Sequence, residues 1–253
     1  VYQNDLASID ASNTSQGYVM VKYNGTNEKV KLQITCPDQS CYTYLISDRG
    51  AYDTFPLTAG NGSYALQVLE NVAGDTYTVS LAQSINVSIE DEFLPFLYPN
   101  QYVNFHTDSK AVSKGSDLAK DTYSDLDVVQ NIYNYVIKNI SYDTEKAQNV
   151  SYGYVPDIDD TLSSKKGICF DYAAVMATML RTQAIPTRLE VGYAGEEYHA
   201  WISTYIKDKG WINGIIEFDG TSWNMLDPTF ASTSDSPKKF IAQKSDYITK
   251  YVY

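Results

Sequence analysis

Long apolar runs are missing from this chain. No stretch approaches the roughly 18 consecutive apolar residues that a membrane-spanning helix needs, so no transmembrane segment is expected. Clusters of Lys and Arg are missing too. Nineteen basic residues face 31 acidic ones, for a formal net charge of −12, and both halves share the acidity. Nucleic acid as a partner is thereby disfavoured, because phosphate neutralisation needs clustered cations. Histidine is scarce at two residues and cysteine at three. Cys36 and Cys41 are separated by four residues with no second Cys pair, which disfavours a structural zinc site. Asp157-Ile158-Asp159-Asp160 lacks the glycine and closing glutamate of a calcium loop, and reads as a turn capping a short helix. No metal or cofactor is expected.

An odd cysteine count leaves one thiol over. Cys36 and Cys41 flank the turn-like insert Pro37-Asp38-Gln39-Ser40 and are expected to close a small loop as a disulfide, which implies an oxidising compartment. Cys169 is then the free thiol. Val1-Tyr2-Gln3-Asn4-Asp5 lacks the basic start and apolar stretch of a signal peptide, and the chain does not begin with Met. A removed leader is compatible with that start. The 23 tyrosines and the abundance of Asn, Ser and Thr suit an exported protein, so an extracellular or cell-surface location is expected.

What is present divides the 253 residues into two halves. Hydrophobic residues make up 43% of the chain, enough for real cores and too many for disorder. Residues 1–16 read as a polar lead-in. Short alternating runs follow, Tyr18–Tyr23, Lys29–Ile34, Cys41–Ile46, Tyr64–Leu69 and Thr76–Leu81, with turn signals such as Asn24-Gly25 between them. About seven strands at this spacing predict a β-sandwich over residues 1–95. It contains no histidine and only scattered acids, so it reads as a packing, presentation or binding module.

From residue 96 the period changes. Helices are expected over Ser109–Leu118 and from the Ser124 cap to Ile140, where Val128, Val129, Ile132, Val136 and Ile140 keep helical spacing. A polar loop is expected from Thr144 to Asp160. After a turn at Ser163–Gly167, a helix runs from Cys169 to about Gln183. Strands follow at Arg188–Tyr193 and His199–Tyr205, with a hairpin around Asp219-Gly220. Helices first and antiparallel strands after make 96–253 an α+β domain.

Within this domain Cys169 opens a helix, where the dipole and unsatisfied N–H groups favour thiolate. His199 lies on one strand and Asp227 at the end of another, and two pairing strands could place them side by side. Cys, His and Asp in that order suggest a thiol activated by a base that a carboxylate orients. The Cys169 N–H would offer one oxyanion donor. On spacing alone, a buried structural cysteine remains the alternative.

Lys166-Gly167-Ile168-Cys169-Phe170-Asp171-Tyr172-Ala173, with Ile185-Pro186-Thr187-Arg188, resembles the core of the transglutaminase-like superfamily. His199-Ala200-Trp201 and Leu226-Asp227-Pro228-Thr229-Phe230 match its other motifs in order, and Asn139–Asp143 resembles the preceding helix end. The resemblance covers roughly 110–232. It implies a papain-like fold with Cys169 as nucleophile, His199 as base and Asp227 as orienter. It also implies an upstream side chain completing the oxyanion hole, for which Tyr142 is the first candidate and Tyr152 and Tyr154 are alternatives. Trp201 is expected to pack behind the histidine. The reaction implied is thiol-dependent acyl transfer or hydrolysis on protein or peptide amides, cell-wall peptides included. A protease of the same fold and a non-catalytic surface protein are the other readings.

Overall fold

Alternate residues along Tyr18–Tyr23 and Val30–Thr35 are buried, and that pattern builds the first half of the chain. The computed structural model describes residues 1–46, 49–194, 196–218, 223–225 and 247–253. They fall into two compact units, Val1–Gln101 and Tyr102–Tyr253.

In the first unit the strands are β1 (Tyr2–Gln3), β2 (Ala7–Asp10), β3 (Tyr18–Tyr23), β4 (Val30–Thr35), β5 (Cys41–Leu45), β6 (Asp53–Pro56), β7 (Gly62–Ala73) and β8 (Thr76–Val87). They form two four-stranded sheets, ordered β1-β2-β3-β6 and β5-β4-β7-β8, with every pairing antiparallel. Val19, Val21, Leu32, Leu66 and Val68 are fully buried, each worth about 2 kcal/mol of transfer free energy. The sheets meet where the Tyr44 ring stands edge-on to Phe55, centroids 4.9 Å apart, and where the Tyr23 hydroxyl donates to Glu70.

Two expectations need correcting in this unit. The polar lead-in contains β1 and β2, because Ala7 and Ile9 are buried against β3. Strand pairing there overrides the local polar composition. Cys36 and Cys41 are free thiols rather than a disulfide. Cys41 pairs with Thr35 and is exposed, whereas Cys36, one residue further on, is buried. The pleat turns the two side chains to opposite faces.

The second unit begins with α1 (Lys110–Leu118) and α2 (Asp125–Asn139). Ser124 caps α2 by accepting from the Asp127 N–H, and Val128, Val129, Ile132 and Val136 are buried along it. Next come β9 (Ser141–Tyr142), α3 (Thr144–Asn149), α4 (Ile158–Ser164), β10 (Lys166–Gly167) and α5 (Cys169–Arg181). The expected loop over 144–160 therefore holds a helix, α3, started by Asp143 accepting from the Lys146 N–H at 2.9 Å. Asp157 caps α4 in the same way, accepting from Asp160 at 2.8 Å.

Helix α5 is buried all round from Asp171 to Arg181. It packs between α1, α2 and α4 and the strands β11 (Thr187–Ala194) and β12 (Glu197–Ile206). Those strands belong to an antiparallel sheet completed by β13 (Gly210–Phe218), β14 (Trp223–Met225) and β15 (Tyr247–Val252), in the order β14-β13-β12-β11-β15. The mixed α+β class with an antiparallel sheet is as expected. Strand β13 leads up to the hairpin expected at Asp219-Gly220, residues that lie outside those described, and β15 forms a sheet edge. At the far end of α5, the buried Arg181 donates from Nε to the Thr187 carbonyl (2.9 Å) and from Nη2 to the Tyr253 carbonyl (2.8 Å). This ties the helix to the sheet.

Candidate active site

The segment entering α5 is tightly constrained. Tyr142 lies opposite Gly167 in the parallel β9–β10 pairing, and the Asp143 N–H donates to the Gly167 carbonyl at 2.9 Å. The Tyr172 hydroxyl, one turn into α5, donates to the Ile140 carbonyl at 2.5 Å. Gly167 is required by close approach. A Cβ there would stand 2.7 Å from the Asp171 Cβ and 3.2 Å from Thr161 Cγ2.

Cys169 is the first residue of α5, and its side chain is partly exposed. Around it the backbone N–H groups of Ala200 and Phe170 and the Tyr142 hydroxyl are donors that favour its thiolate. Nonetheless, burial pushes the thiol above its ordinary range, with the nearby Asp171 charge acting in the same direction and those three donors opposing it. The helix start was expected to favour thiolate. Burial outweighs it, since desolvation penalises the charged form.

His199 lies on β12 opposite Gly192 of β11 and is buried. It directly precedes Ala200, whose N–H reaches the Cys169 sulfur. Thus nucleophile and base candidates meet through adjacent residues of β12. At Gly192 a Cβ would collide with the Ile248 carbonyl oxygen at 2.0 Å, so β15 approaches closely beside the histidine. Trp201, two residues past His199, is buried and donates from Nε1 to Glu190 Oε2 at 2.8 Å. Glu190 also accepts from the Thr249 hydroxyl at 3.2 Å. That buried acid escaped the sequence reading, because in the chain it is one more polar position of an alternating strand.

Asp227 lies outside the described residues. The strand that leads to it, β14, pairs with β13, Met225 lying opposite Ile216 and Ile216 opposite Ile202. β13 thus stands between β14 and the histidine strand.

Of the three tyrosines weighed for the oxyanion site, Tyr142 lies opposite Gly167 and lowers the thiol's pKa. Tyr152 is 79% exposed. Tyr154 instead donates to Asp171 Oδ1 at 2.5 Å. Asp171, fully buried, also accepts from the Ile168 N–H (2.8 Å) and from Lys146 Nζ (2.7 Å). An acid at the third helical position is a legible capping signal. Lys146 and Tyr154, by contrast, fell within an expected loop.

Residues 113–214 match the sequence model of the Transglutaminase-like superfamily. The chain is 27% identical over 130 residues to the kyphoscoliosis peptidase of Mus musculus, covering 44% of this chain and 19% of that protein. It is 32% identical over 71 residues to a protein-glutamine gamma-glutamyltransferase of Pseudomonas aeruginosa, covering 22% of this chain and 11% of that protein. The chain thus spans less than a fifth of the length of either relative. Among solved structures, a candidate cysteine protease from Cytophaga hutchinsonii aligns over 100% of this chain and 74% of its own, at 14% identity and a TM-score of 0.44. The chain carries a transglutaminase-like superfamily domain.

Proposed function

We propose that the second unit forms a thioester from a protein or peptide amide, and passes the acyl group to an amine or to water. The Cys169 thiol gives its proton to His199, and the resulting imidazolium stabilises the thiolate against its buried surroundings. The thiolate attacks the amide carbonyl. Developing negative charge on the carbonyl oxygen is met by the Tyr142 hydroxyl and the backbone N–H of Cys169. The C–N bond breaks as His199 returns the proton to the leaving amine, leaving an acyl-enzyme. A primary amine or water, deprotonated by His199, then attacks and releases Cys169. Asp227 orients the imidazole in this reading.

One arrangement carries it: Cys169 opens α5 two residues after Gly167, which the β9–β10 pairing sets opposite Tyr142, and donors at Tyr142 and at Ala200, the residue following His199, favour the thiolate. The two relatives' names, a peptidase and a glutamyltransferase, support either acceptor, so a protease is the second reading. In this reading residues 96–253 carry the catalysis, residues 1–95 are a packing, presentation or binding module, and the chain acts outside the cell. Protein substrates and cell-wall peptides are the classes to screen.

The test offers a Gln-containing peptide with and without a fluorescent primary amine. Amine incorporation marks transfer, and peptide fragments alone mark proteolysis. Cys169→Ala is expected to remove all turnover while leaving the circular dichroism spectrum unchanged. Turnover retained in that variant refutes the nucleophile assignment, and a wild-type chain that does neither favours the non-catalytic reading.

A further inference from the structure

The carboxylate of Asp171 joins two parts of the chain that must stay in register. On one side it holds the nucleophile turn, accepting from the Ile168 N–H at 2.8 Å. On the other it receives Lys146 Nζ at 2.7 Å and the Tyr154 hydroxyl at 2.5 Å, both from the segment after Tyr142. The Lys146 ammonium lies 4.5 Å from the centroid of the Tyr154 ring, so the two donors also brace each other. Lys146 is linked rigidly back to Tyr142. Its N–H donates to the Asp143 side chain that starts α3, and the Asp143 N–H is bonded to Gly167. Tyr142 also sits in a two-residue strand pairing, well short of the usual strand length, and packs on Tyr172 with centroids 6.4 Å apart.

We propose that Lys146 and Asp171 form a latch that holds the Tyr142 hydroxyl against the Cys169 sulfur, which makes both of them positioning residues for the nucleophile. The inference rests on Cys169 being the reactive thiol. The groups that act on that thiol are Asp171 and the Phe170 N–H from its own helix, Tyr142 from β9 and the Ala200 N–H from β12, on which His199 is the preceding residue. Lys146 from α3 and Tyr154 from the following loop reach it only through Asp171. Two mechanisms make different demands on these groups. If Lys146 acted as a charge through space, its removal would raise the thiol's titration midpoint whether or not Tyr142 kept its hydroxyl. If it acts as a latch, its effect vanishes once that hydroxyl is gone.

The experiment alkylates the full chain with iodoacetamide across a pH series and follows the Cys169 peptide by mass spectrometry, so that Cys36 and Cys41 do not contribute. Lys146→Met is expected to raise the midpoint by up to about one pH unit, the scale of a lost hydrogen bond to the charged form. Lys146→Arg is expected to restore it. In a Tyr142→Phe background, Lys146→Met is expected to add no further shift. An equal shift in both backgrounds, or none in either, overturns the latch while leaving a reactive Cys169. A wild-type Cys169 that is never alkylated overturns the functional reading as well. Should Lys146→Met fail to fold, Tyr154→Phe removes a single hydroxyl from the same carboxylate. It is held to the same comparison, with a smaller shift.

Discussion

Replacing Gly167 with alanine tests the packing beneath the nucleophile most directly. The added Cβ would lie 2.7 Å from the Asp171 Cβ and 3.2 Å from Asp171 Oδ2 and Thr161 Cγ2. Ordinary carbon contacts begin near 3.5 Å, so something must yield by most of an ångström. The Asp171 Cβ is not the free end of a flexible chain. Its carboxylate is fixed by Ile168, Lys146 and Tyr154, and Thr161 is buried in α4. Overpacking of this kind costs about 1–3 kcal/mol, and weakening one charge-assisted bond costs about 1.5–3 kcal/mol. Because one displacement relieves part of the other, we expect about 2–4 kcal/mol. For a chain of this size that lowers Tm by about 5–15 °C. Scanning calorimetry is the assay. If the two units unfold separately, only the transition of residues 102–253 is expected to move. Alkylation of Cys169 is expected to change in the same variant. An unchanged Tm with unchanged Cys169 reactivity would refute the close packing of Gly167 on Asp171.

Three further outcomes follow from the same contacts. Tyr142→Phe keeps the ring against Tyr172 but removes one oxyanion donor, so single-turnover acylation is expected to fall about 10²–10³-fold; an unchanged rate would exclude it from the oxyanion site. Burial pushes the Cys36 thiol from 9.0 to about 11. Its folded value is raised, so its contribution to stability is complete below pH 9.0 and disappears as pH rises through about 11. Urea midpoints of the first unit are expected to fall across that window, and Cys36→Ala to flatten the fall. Arg181→Leu removes the side-chain donor to the buried Thr187 carbonyl, at about 1–3 kcal/mol for an unsatisfied group, while the Tyr253 carbonyl keeps the Leu189 N–H at 2.9 Å; a calorimetric transition unmoved by it would show those bonds to be dispensable.

Local pattern carried a large part of the architecture. Period-two alternation was visible in Val30–Thr35 and Thr187–Ala194 because each strand has one apolar face, and burial on that face is a property of the pair of faces, not of distant partners. The α2 boundaries were visible because Ser124 supplies the cap and Val128, Val129, Ile132 and Val136 the stripe. The start of α5 at Cys169 was equally legible from the turn before it and the apolar run after it.

Other features depended on partners far away in sequence. Ala7 and Ile9 become strand only by pairing with Val21 and Tyr23. Helix α3 hid in a polar stretch because its stability comes from the Asp143 cap and from Lys146 reaching Asp171, 25 residues on. Cys36 and Cys41 looked like partners by spacing, yet the pleat separates them.

The nucleophile shows the division most clearly. From the chain alone, Cys169 stands at a helix start whose N–H groups favour thiolate. The fold then packs protein around it beside Asp171 and pushes the thiol the other way, because desolvation is a property of everything packed around a side chain and no local motif encodes it. Sequence determined that a cysteine opens this helix and that His199 follows on a strand. Tertiary structure alone decided that Tyr142 and Ala200 meet its sulfur, and that a buried carboxylate with its own cation lies beneath.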